Sequence, residues 1–132
     1  MIFKKLCCCL SVLLLFGLCS CGKNVSVKQG QYTAESRENI VAPSLTLDLE
    51  HNRFTFTYDV LSSYLNTGTI YIKGHTLTAV TDDGQYTYCF DIHNDTTLLF
   101  AEKGSSPINT MQGNCSVTDR TEFVWIGNNS ES

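Results

Sequence analysis

Strict alternation of apolar and polar residues runs through most of this chain and leaves it few folds to choose from. Phe54, Phe56 and Tyr58 alternate with Thr55, Thr57 and Asp59, and Tyr86, Tyr88, Phe90 and Ile92 alternate with Gln85, Thr87, Cys89 and Asp91. Leu45, Leu47 and Leu49 alternate with Thr46 and Asp48 in the same way. Successive side chains of a strand point to opposite faces, so each run presents one apolar and one polar face, as an antiparallel sheet packed on one side does. Between residues 30 and 126 no stretch of a dozen residues places apolar side chains at i, i+3, i+4 and i+7, as a helix requires.

Turn chemistry separates the runs. Glu50, His51, Asn52 and Arg53 follow the Leu run, Lys73-Gly74-His75 and Asp82-Asp83-Gly84 punctuate the middle, and His93-Asn94-Asp95 closes the Tyr/Phe run. Glycine tolerates a positive φ, which makes Asp-Gly a tight-turn signal. The pattern predicts strands over 31–36, 44–50, 53–60, 67–73, 76–81, 85–92, 97–102 and 121–126. Short, evenly spaced strands joined by hairpins imply an all-β fold. The expected architecture is an antiparallel up-and-down meander of about eight strands closed into a small barrel, with a twisted open sheet or a sandwich as the alternative. Eight strands enclose a space that side chains fill or that holds one small ligand. Leu61-Ser62-Ser63-Tyr64-Leu65 breaks the alternation, and 103–119 reads as one long loop.

The N-terminus has a different grammar. Lys4 and Lys5 precede an apolar stretch, 6–18, which is 13 residues long and so short of the roughly 20 that a membrane-spanning helix needs. This is the build of a signal peptide. Five of the seven cysteines lie in the first 21 residues, which removes the disulfide-scaffold reading that the count alone suggests. Leu18-Cys19-Ser20-Cys21 resembles the lipobox of bacterial lipoproteins: an aliphatic residue, two small ones, then the cysteine. The resemblance implies that the Cys21 thiol receives a diacylglycerol and that residues 1–20 are removed. Cys19 fits less well as the acceptor, because Phe16, Gly17 and Leu18 precede it. An ordinary secretory signal is the competing reading. Two acyl chains on one residue hold a protein at a membrane essentially permanently.

Cleavage before Cys21 removes Lys4 and Lys5 from nine basic residues and none of the thirteen acidic ones, leaving −6 over 112 residues. Such a body is not drawn to nucleic acid or to anionic lipid by charge. The expected organisation is a signal peptide at 1–20, the lipidated cysteine and a polar flexible tether at 21–29, a folded body at 30–126 and a frayed tail at 127–132.

The body resembles a lipocalin-like β-meander module of secreted lipoproteins in Gram-positive, clostridia-like bacteria, similar to modules that follow the membrane metallopeptidase domain of some antibiotic-sensor-like proteins. The residues that carry the likeness are Gly30-Gln31-Tyr32, P-S-L-T-L at 43–47, Phe54 and Phe56, Leu61-Ser62-Ser63-Tyr64, Thr81-Asp82-Asp83-Gly84, Tyr88-Cys89-Phe90, Leu98-Leu99-Phe100, and Ser105-Ser106, over 30–107. Where such modules carry Asp-Gly before the last strand, this chain has Asp119-Arg120. The resemblance implies a fold and an extracytoplasmic setting; it supplies no catalytic residues.

Candidate chemistry is sparse. Cys89 and Cys115 are the two cysteines of the body, and outside the cytoplasm they could oxidise, closing a loop worth roughly 3–4 kcal/mol and pinning the long loop to the strand at 85–92. Two free thiols are the other reading. His51, His75 and His93 sit in three separate turns without paired metal-ligand spacing, and Asp91-x-His93-x-Asp95 runs into turn residues, so no metal is expected. Asp82-Asp83-Gly84 lacks the alternating oxygens of a calcium loop. Ser62, Ser63, Ser105 and Ser106 have no nucleophile setting such as G-x-S-x-G, so neither catalysis nor a cofactor is expected. Phe54, Phe56, Tyr58, Tyr86, Tyr88 and Phe90 either line a ligand cavity or fill a core.

The functional expectation is therefore a lipid-anchored protein on the extracytoplasmic face of the cell membrane, acting as a noncatalytic interaction or sensing module. Its partners would be membrane lipid through Cys21 and an envelope protein or small ligand. A carrier of a small apolar ligand is the first alternative and an envelope hydrolase the second. A hollow barrel would favour the carrier; a filled one with exposed apolar surface would favour the interaction module.

Overall fold

The computed structural model of the protein describes residues 25–35, 42–58, 65–108 and 117–128. Eight strands follow one another: β1 (Gly30–Thr33), β2 (Ser44–Asp48), β3 (Arg53–Thr57), β4 (Asn66–Lys73), β5 (Thr76–Thr81), β6 (Thr87–Asn94), β7 (Thr97–Ala101) and β8 (Glu122–Gly127). Each pairs antiparallel with the next, and β8 pairs with β1, so the sheet closes into an up-and-down barrel. The open sheet and the sandwich are thereby excluded. The segments 1–24 and 61–64 lie outside the described residues, with the lipobox, Cys21, Ser62 and Ser63, as does Cys115.

The alternation is what closes the barrel. Tyr32, Leu45, Leu47, Phe54, Phe56, Leu77, Tyr88, Phe90, Leu98 and Phe123 all point inward and are fully buried. Cross-strand pairs set their spacing: Leu45 faces Phe56, Leu47 faces Phe54, and the small Ala79 lies opposite the large Tyr88. Inward Gly68 brings β4 close to β5, since a Cβ there would run into the Val80 carbonyl oxygen.

Strands β2 and β7 end before, and β6 begins after, the residues that alternation alone predicts, each beside an aspartate. An aspartate carboxylate takes a backbone N–H out of the ladder: Asp48 accepts from His51 N, Asp83 from Gln85 N and Asp119 from Glu102 N. Side chains of this kind compete with the sheet for backbone partners and turn the chain. At the last turn Arg120, standing where a glycine is expected, takes φ 69°. It is held there by N–H donation to Phe100 O (2.7 Å) and by its guanidinium on Asp91 (2.8 Å).

The barrel has two unlike rims. The entry rim carries the segment leading into β1, the turns after β2, β4 and β6, and the end of β8. The far rim carries the turn after β5 and the long connection from β7 to β8.

Candidate functional site

The lumen is the first place to look for a ligand, and aromatic rings occupy it. Phe56 on β3 meets Tyr88 and Phe90 of β6 and Phe123 of β8, with ring centroids 5.0, 5.8 and 5.9 Å away. In an eight-stranded barrel β6 and β8 are each three strands from β3, so these contacts cross the axis. Phe90 also packs edge-on against Phe100 and Phe123 at 5.6 and 5.5 Å. Edge-to-face pairs at such distances are favourable packing arrangements. Of the six aromatics that could line a cavity or fill a core, Phe54, Phe56, Tyr88 and Phe90 are buried, and Tyr58 and Tyr86 are half-buried against them. Within this layer the Tyr88 hydroxyl donates to Asn66 Oδ1.

A strap closes the entry rim. Val25 and Val27 pack against the core, and Lys28 N donates to Asp95 O at 3.0 Å. Trp125 Nε1 donates to Gln29 O at 2.9 Å, and the Lys28 ammonium sits 4.6 Å from the centre of the Trp125 ring. The Tyr32 hydroxyl donates to Lys28 O (2.7 Å) with Asp95 O close by (3.2 Å), and burial pushes its pKa up to about 12. Residues 25–29, expected to belong to the flexible tether, instead pack against and hydrogen-bond to the barrel. Val25 and Val27 at i and i+2 were the available signal, masked by the polar residues around them.

The sequence-level candidates for chemistry are mostly engaged in structural bonds. Ser105 Oγ accepts from Cys89 N and donates to Ala101 O, while Ser106 Oγ accepts from Thr87 N. The two serines thus continue the edge pairing of β6 beyond the end of β7. All three histidines lie toward the entry rim, at the opposite end of the barrel from these serines. Asp82 grips Arg53 through two bonds of 2.6 Å, which holds its carboxyl below the usual range, and Asp83 Oδ1 accepts from Thr81 Oγ1 within the turn. Cys89 is a free, half-buried thiol with Sγ 3.5 Å from Gly104 O. Asp91 is committed to Arg120 rather than to His93.

Among the described residues one group of three could offer metal ligands together: Asp48, Glu50 and His51, with ligand atoms within 4.8 Å of one another. The group is solvent-facing, and His51 Nδ1 already bonds Asp48 Oδ2 at 2.7 Å. A shallow cleft of about 380 Å³ opens at the far rim, with Phe100 and Val117 among its walls alongside Glu102, Ser105 and Thr118.

No known family, curated protein or solved structure matches the chain. Its own surface is therefore the guide. Among the described residues, Tyr71, Ile72, Val124, Ile126 and Leu65 are the large exposed hydrophobics, and Tyr71, Ile72 and Ile126 belong to the entry rim. Tyr71 and Ile72 are exposed because β3 begins at Arg53, opposite Thr69, so the tip of β4 has a strand neighbour on one side only.

Proposed function

We propose that the protein is a lipoprotein anchored by Cys21 to the extracytoplasmic face of the cell membrane, where its barrel serves as a noncatalytic interaction or sensing module. The observation that carries the anchor is the order of features in the sequence: Lys4 and Lys5, the apolar stretch 6–18, then Leu18-Cys19-Ser20-Cys21. The observation that favours an interaction module over a carrier is the set of ring contacts through which Phe56 spans the lumen. A carrier needs an open chamber at that level. Apolar side chains displayed outside a filled core suit contact with another surface.

The test is made on the full chain expressed in a bacterium that processes lipoproteins. Intact-mass analysis is expected to show a product beginning at Cys21 with a diacylglyceryl adduct, and Cys21→Ala is expected to abolish membrane retention. An unmodified N-terminus, or retention unchanged in the variant, overturns the anchor.

A further inference from the structure

The strap and the exposed apolar side chains share one rim, and we infer that this rim rests in the interfacial zone of the bilayer that carries the anchor, with Tyr71, Ile72 and Ile126 in contact with lipid. The inference rests on the lipid-anchor reading and adds an orientation and a contact surface to it.

Chain length is the first argument. Three residues, 22–24, separate Cys21 from Val25. Four Cα steps reach at most about 14 Å even when fully extended. The strap that follows cannot pay out more chain while Lys28 is bonded to Asp95 and Gln29 to Trp125. An acylated Cys21 therefore holds the entry rim close to the headgroups and leaves the far rim pointing away.

The second argument is what this rim displays. Tyr71 is 59% exposed, Ile72 44% and Ile126 60%, on β4 and β8, which lie on opposite sides of the barrel. Two apolar points on opposite sides of a rim can seat on a flat surface together. A tyrosine ring suits the headgroup level, and Lys73 beside it can lay its methylene stem along apolar surface while its ammonium stays in water.

Charge is the third. Lys28, Arg53 and Lys73 against Asp48, Glu50 and Asp95 leave this rim without net formal charge, whereas the mature chain carries −6. Like-charge repulsion from an anionic leaflet is therefore weakest at this rim.

The test uses the lipidated, processed protein reconstituted into phosphatidylcholine vesicles with brominated acyl chains, which quench tryptophan fluorescence on contact. Three proteins are compared: wild type, whose Trp125 sets the background, Tyr71→Trp, and Leu65→Trp at the far rim. The emission added by Tyr71→Trp is expected to fall by about twofold or more, as for a residue seated at the headgroup boundary, while that added by Leu65→Trp is unchanged. Ile126→Trp gives the same readout should Tyr71→Trp fail to fold. Equal quenching at the two rims, or none at either, overturns the orientation. An intact mass of the same samples separates the two failures: with the diacylglyceryl adduct present only the orientation falls, and without it the anchor falls and the orientation with it.

Discussion

The Tyr88 hydroxyl donates a 3.0 Å hydrogen bond to Asn66 Oδ1 inside the barrel, where both side chains are buried. It ties β6 to β4 across the intervening β5, beside the aromatic rings that meet across the lumen. A neutral hydrogen bond contributes only about 0.5–1.5 kcal/mol net, but stranding one buried partner costs about 1–3 kcal/mol. Tyr88→Phe is therefore expected to lower the unfolding free energy by about 1–3 kcal/mol. In urea titrations the pair Tyr88→Phe and Asn66→Ala should show a coupling of about 1 kcal/mol. Additive effects would mean that the bond does not form in solution.

Phe56 is the ring that crosses the axis, in contact with Tyr58, Tyr88, Phe90 and Phe123. Phe56→Ala removes a fully enclosed side chain from strands that cannot collapse inward without breaking the closed ladder. The expected loss is roughly 3–5 kcal/mol, read as a lowered urea midpoint with an unchanged slope. A loss well below that, with a small apolar ligand restoring stability to wild type, would mark the lumen as a natural binding chamber and favour the carrier.

How far residues alone disclose this molecule can be judged element by element. Alternation placed all eight strands, because a half-buried strand must repeat every two residues and aspartates and glycines mark its ends. It could not say whether the barrel is hollow, since the same inward Phe56 and Tyr88 would line a chamber or fill one. It missed Leu99, which has outward parity yet is 8% exposed. Leu99 pairs with Asp91 on one side and Glu122 on the other, and Arg120 reaches along the outer surface to Asp91. That neighbour comes from the connection between β7 and β8, whose placement no periodicity encodes. The role of Trp125 is likewise not encoded locally, because it depends on a carbonyl 96 residues away in sequence, that of Gln29.

Gly68 is an inward position with no room for a side chain. A Cβ there would meet the Val80 carbonyl oxygen and lie within 2.7 Å of Thr81 Cα, both backbone atoms of the paired strand. Rotamer changes cannot relieve such a clash, so β4 and β5 would have to move apart. Gly68→Ala is expected to destabilise by about 2 kcal/mol or more, and Gly68→Val by more again, despite the higher strand propensity of both residues. Thermal melts check the order. An Ala variant as stable as wild type would show that the two strands are not held that closely.

Asp48 and His51 give the entry rim a pH-dependent contact. His51 Nδ1 lies 2.7 Å from Asp48 Oδ2, and the same carboxylate accepts from His51 N at 3.3 Å. The hydrogen bond from His51 holds the Asp48 carboxyl below its ordinary 3.8, and the bond to Asp48 holds the imidazole above its ordinary 6.5. Both groups face solvent, which screens the pair and keeps its effect on stability small. The histidine contribution is complete below 6.5 and is lost as pH rises through the higher folded value. The aspartate contribution is complete above 3.8 and is lost as pH falls through the lower folded value. Both are therefore in force between 3.8 and 6.5, with His51 charged and Asp48 ionised. An NMR titration of the His51 ring in wild type and Asp48→Asn should show the midpoint falling in the variant, with the difference shrinking as salt is added. A midpoint that does not move would show that the two side chains are apart in solution.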